Sequence, residues 1–190
     1  KKWGEAARSK SCVGNLKVLS QAMAGYAREH EGALPPAVIG EADSRPVCWD
    51  AMIKKYILPK GWATNSPRLR VEHDRAVAPM FWCPSDMVKR NNKGTPRSYA
   101  MSKHDRKARN FPPGPNNSTG VGIMLGRVDD PEEAKLRMKL AMIPAPQDTL
   151  LLAEYFETNN ILWKNSGMSV SISTTGEGVA GGQLSVISDQ

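Results

Sequence analysis

Cys12, Cys48 and Cys83 are the most reactive side chains in this chain, and their spacing decides which chemistry is open to them. Each lies too far from the next for a Cys-x-x-Cys pair and none has a histidine at ligand spacing, so they do not read as a zinc site. In an oxidising compartment an odd number reads as one disulfide and one free thiol. Loop-closure entropy prefers Cys12–Cys83 over Cys48–Cys83 by only about half a kcal/mol, which leaves the partner of Cys83 open. Within Cys83-Pro84-Ser85-Asp86 only Lys89 and Arg90 stand near enough to lower the thiol's pKa, so Cys83 reads as a disulfide half or a buried thiol.

Other chemistry-bearing residues are scattered. His30, His73 and His104 occupy polar segments and none is paired with a nucleophile, so they read as surface histidines. Gly176-Glu177-Gly178 and Gly181-Gly182 lack the Lys-Ser/Thr that follows a phosphate loop, and read as turns. Asp86, Asp129, Asp130, Glu154 and Glu157 offer oxygens for calcium, but no 12-residue EF-hand pattern frames them and they read as solvated carboxylates. No catalytic constellation emerges; the expectation is a protein that is not an enzyme and carries no cofactor.

The chain of 190 residues carries 26 basic and 19 acidic side chains, a formal charge of +7. The excess is concentrated in Lys89, Arg90, Lys93, Arg97, Lys103, Arg106, Lys107 and Arg109, opposed only by Asp105. On one face these cations would attract a polyanion through a salt-sensitive, sequence-blind term. Only Tyr99 is interleaved as a stacking platform, so a solvated basic loop is the leading expectation and polyanion or nucleic-acid capture the alternative.

What must position these residues is a mixed set of elements. Hydrophobic residues form 40% and charged residues 24% of the chain, with 16 Gly and 14 Pro, which argues for a folded, turn-rich domain over a disordered or collagen-like chain. No apolar run approaches the length of a bilayer span. From Trp3 to His30 the residues Cys12, Leu16, Leu19, Met23 and Tyr26 recur at helical spacing, while Lys10, Lys17, Gln21 and Arg28 fall elsewhere. Such a helix is roughly 40 Å long and contains Gly14 and Gly25, so packing of its apolar stripe against another part of the chain must hold it. Glu31 to Pro36 ends it.

A second helix is predicted across Cys48 to Ile57, closed by Pro59. Pro59 to Met80 reads as loop with a short strand at Arg68 to Val71. Strands are predicted at Arg97–Ser102, Val121–Leu125, Thr149–Phe156, Asn160–Lys164, Met168–Ser173 and Gln183–Ile187. Asp129 to Met142 reads as a helix with an Asp cap and an early Pro, and Lys103 to Thr119 as an exposed loop. The sum is an α+β fold in one domain: a long helix over 1–30, a short helix and loops over 31–96, and mainly antiparallel strands with long loops over 97–190.

Taken in order, Cys12-Val13-Gly14-Asn15-Leu16-Lys17, Tyr26 and Gly32-Ala33-Leu34-Pro35 resemble the start of the soluble part of type IV pilin-like proteins, especially the major pseudopilins of type II secretion. Trp49, Phe81 to Asp86, Ser98-Tyr99-Ala100-Met101, and Ile143 to Thr149 through Glu154 look like the same bacterial family. The relatives' closing His, nine residues and Asp-Gly is absent, since the last His is His104 and the tail reads Gly181 to Gln190. The resemblance implies a pilin-like fold in which the stripe from Cys12 to Tyr26 packs on a sheet. It also implies an apolar anchor helix upstream of Lys1 and a body in the periplasm or in a periplasmic or extracellular filament. Implied partners are other pilin-like subunits, the secretion or pilus assembly machinery and the inner membrane. A C-terminal calcium site is implied too, with no matching ligand set in this chain.

Overall fold

The structure, a computed structural model, describes residues 2–39, 47–58, 76–90, 95–102, 124–125, 137–143, 149–162, 169–170 and 184–186, with the side chains of 2–3, 124–125, 169–170 and 184–186 left undescribed. Its first element, α1, is the 28-residue helix Lys2–Glu29. Cys12, Leu16, Leu19, Met23 and Tyr26 all lie on its buried face, joined there by Ala22 and Ala27. The helix ends in an αL turn: Glu31 and Gly32 take positive φ, and Gly32 N donates to Ala27 O at 2.8 Å, satisfying a carbonyl the helix leaves open.

β1 (Val38–Ile39) and β2 (Val47–Cys48) lead into α2 (Trp49–Ile57), which buries Trp49, Asp50 and Ile53. A 3-10 turn at Ala78–Phe81 follows, then β3 (Tyr99–Ser102), β4 (Met124–Leu125), a second 3-10 turn at Leu140–Met142, β5 (Leu150–Glu154), β6 (Ser169–Val170) and β7 (Leu184–Val186). Two small sheets result, in the orders β2-β1-β4 and β6-β3-β5-β7. The fold is α+β.

Four details depart from expectation. The sheets are mixed: β1 runs parallel to β4 and β3 parallel to β6, beside the antiparallel pairs β1–β2, β3–β5 and β5–β7. Both parallel partners return after long connections, which frees them from hairpin geometry. The α1 stripe meets chiefly α2 and the first 3-10 turn, and β5 and β7 to a smaller extent, so its cover is more helical than the expected sheet. The helix predicted to run to Met142 does not reach its predicted end. Residues 137–139 instead lie against the chain leaving α1, where Leu34 N donates to Met138 O at 2.8 Å and Leu140 N to Gly32 O at 2.9 Å. Of the strand predicted at Asn160–Lys164, the described residues 160–162 form one bridge, Ile161 with Pro96. Arg68–Val71 and Lys103–Thr119 lie outside the described residues.

One cluster of buried side chains joins these parts, with Leu19, Met23, Trp49, Ile53, Phe81, Tyr99, Met101 and Leu152 at its centre. Close approach of the two helices depends on Gly25, since a Cβ there would stand 2.9 Å from Tyr56 Cδ1.

Candidate functional site

Cys12 and Cys83 are joined as a disulfide, with Cα atoms 5.0 Å apart, inside the range such a bond requires. The bond ties the third turn of α1 to the segment just after the first 3-10 turn. Asn15, one turn further along, reinforces the tie: its Nδ2 donates to Trp82 O at 2.8 Å and to Pro79 O at 3.3 Å. Tyr99 donates its hydroxyl to Cys12 O at 3.4 Å, and burial pushes its phenol pKa well above the usual range.

Beneath the disulfide lies a buried polar knot. Asp86 N donates to Cys83 O at 2.8 Å, making Cys83-Pro84-Ser85-Asp86 a turn. The Asp86 carboxylate accepts from Ser98 Oγ at 2.6 Å and from Val88 N at 3.1 Å, and forms an ion pair with Arg90. Ser98 Oγ in turn accepts from Cys83 N at 3.0 Å. Arg90 spends its other donors on the carbonyls of Val88, Arg97 and Asn160. Arg97 Nη1 pairs with Asp50 Oδ2 at 2.8 Å and its Nε donates to Asn160 Oδ1 at 2.7 Å. Asn160 is anchored by Nδ2 donating to Tyr155 O at 2.9 Å.

This geometry corrects the reading of the basic window. Arg97 is fully buried and the Arg90 side chain is 4% exposed, so neither faces a polyanion. Two buried cations are tolerated because each meets a carboxylate and further acceptors, without which burial would be prohibitive. Lys89 is exposed; Lys93, Lys103, Arg106, Lys107 and Arg109 lie outside the described residues. Asp86 and Glu154 are also buried, where solvated carboxylates were expected.

Cys48 is the cysteine left free, and burial first, then the Asp50 charge, pushes its thiol up to about 12. A thiol held neutral is a poor nucleophile. Glu154 Oε1 stands 3.4 Å from Cys83 Sγ, a close contact, since a disulfide sulfur has no proton to donate. Cys12, Cys83 and Glu154 bring ligand atoms within 4.8 Å of one another, but the disulfide consumes both sulfurs and leaves a single carboxylate. The site therefore fastens α1 to the body. Sequence reasoning missed Asp50, Ser98 and Asn160; their only signal was polar residues inside otherwise apolar segments.

The described residues define an α+β protein whose long helix is fastened to its body by a disulfide over a buried charge network. No protein-family description, no curated protein and no solved structure matches this chain. Among the described residues no helix is long and apolar enough to cross a membrane.

Proposed function

We propose that this chain is a non-enzymatic, pilin-like structural subunit of a type IV pilus-like or type II secretion pseudopilus assembly in the bacterial cell envelope. On this reading an apolar helix ahead of Lys1 anchors it in the inner membrane, and the described body stands in the periplasm or in a filament. Its partners are further pilin-like subunits and the assembly machinery.

One observation carries the reading: α1 runs past the body it packs on. From Gly4 to Ser11 every residue but half-buried Ser9 is exposed, and the buried face of the helix starts only at Cys12. Helix turns that bury little gain little from tertiary packing, and short helices are marginal in water without it. Packing against the helices of neighbouring copies would supply the missing cover. Val13 and Trp82, apolar and respectively 53% and 43% exposed, extend the uncovered surface beside the disulfide. A disulfide at Cys12–Cys83 fits an oxidising compartment.

The test is the coding sequence upstream of Lys1. A short basic leader followed by about 20 apolar residues is expected. A cleaved secretory signal or a further soluble domain in that position overturns the reading.

A further inference from the structure

Glu154, the last residue of β5, is buried and sets its Oε1 3.4 Å from Cys83 Sγ. Cys12 reaches the same point from α1, and the two sulfurs and the carboxylate oxygen all lie within 4.8 Å of one another. Residue order hides this cluster, since 71 residues separate Cys12 from Cys83 and 71 more separate Cys83 from Glu154. While the disulfide stands, its sulfurs are not thiolate ligands. The dithiol form differs: a chain made where thiols are kept reduced carries Cys12 and Cys83 as thiols until an oxidising compartment joins them.

The spacing fits a tetrahedral ion. A sulfur about 2.3 Å and a carboxylate oxygen about 2.1 Å from one zinc ion stand about 3.6 Å apart, close to the observed 3.4 Å between Cys83 Sγ and Glu154 Oε1. Two thiolates on the same ion stand about 3.8 Å apart. With the S–S bond open and the Cα atoms 5.0 Å apart, side-chain rotation brings Cys12 and Cys83 to that separation. Thiolate and carboxylate are donors that zinc takes, and a divalent ion offsets the cost of holding the Glu154 charge away from water. Burial of all three groups is no obstacle, because structural zinc sites are closed and fill as the chain folds.

We propose that in the reduced chain Cys12, Cys83 and Glu154 form a binding site for one zinc ion, with water in the fourth position of the tetrahedron. Each thiol gives up its proton as the ion binds, and oxidation to the disulfide removes both sulfur ligands and releases the metal. The ion ties α1 to the body at the point where the disulfide later does. The site owes nothing to the assembly reading and stands whether or not the chain forms filaments.

The test reduces the full chain without oxygen, using a phosphine that takes the oxygen of water as its protons pass to the two sulfurs. Cobalt(II) is then titrated in, followed by zinc(II) as competitor. The reduced chain should develop a thiolate-to-cobalt charge-transfer band and the intense visible bands of tetrahedral cobalt, both abolished by zinc. The oxidised chain should show neither. C12S should lose the site, C48S should keep it, and E154Q should weaken it at least about tenfold, the smallest loss expected when even a partner of a metal ligand is changed. Circular dichroism follows the fold throughout; if the reduced chain unfolds, cobalt or zinc should restore its helix in wild type and C48S but not in C12S. Absence of the thiolate band, or equal affinity in wild type, C12S and E154Q, overturns the proposal.

Discussion

Arg97 and Asp50 lie 2.8 Å apart with neither side chain exposed, so the most basic stretch of the chain sends one of its cations through the core to the first turn of α2. The Arg97 guanidinium also stands 5.8 Å from the centre of the Trp49 ring. Each charge is tolerable only because the other is present. D50N should therefore destabilise the protein by about 3–5 kcal/mol, read by denaturant unfolding, since it leaves a buried cation uncompensated. R97M in the D50L background should recover much of that loss. A D50N variant as stable as wild type would refute the pairing.

Thiol counting in denatured, non-reduced protein should find one free thiol, Cys48, because Cys12 and Cys83 are joined. Removing the bond with C12S and C83S together should cost about 4 kcal/mol, the loop-entropy value for a 71-residue separation. Three free thiols would contradict the structure.

Two glycines of α1 should respond in opposite directions. At Gly14 an added Cβ meets nothing, so G14A should stabilise the isolated chain by about 1 kcal/mol through helix propensity. At Gly25 the Cβ would collide with Tyr56, whose ring is held by its bond to Glu29, so G25A should destabilise by about 1–3 kcal/mol. Thermal unfolding of the two variants distinguishes these effects. If G14A stabilises the chain yet blocks filament formation, the exposed face of α1 is an assembly surface.

Cys48 carries a pH dependence with a definite sign. Its thiol titrates at about 12 in the folded chain against 9.0 for an ordinary cysteine, so the unfolded chain loses this proton first as pH rises. The contribution to stability is full below about pH 9 and is lost between about pH 9 and 12. Alkylation of native Cys48 by iodoacetamide should be far slower than that of a free thiol at pH 8.5. Rates equal to those of the unfolded chain would show that the thiol is neither buried nor shifted.

The helical stripe from Cys12 to Tyr26, the stop at Gly32 and the extent of α2 were legible from residue order, because helical period and capping act over a few neighbouring residues. Strand positions such as Leu150–Glu154 were legible for the same reason. The residues of the buried knot were not. Asp50, Asp86, Ser98 and Asn160 are unremarkable polar residues until four distant segments meet.

Sequence by itself determined that α1, α2 and the strand at Leu150–Glu154 form, which face of α1 is apolar and that one cysteine must stay unpaired if a disulfide forms. Tertiary structure alone decided that Cys83 joins Cys12, that α2 and a 3-10 turn are the main cover of α1, and that Arg90 and Arg97 are core residues. The reason is physical: periodicity is set by local backbone geometry, whereas the fate of a charge depends on whether a distant carboxylate arrives within bonding distance to offset its desolvation.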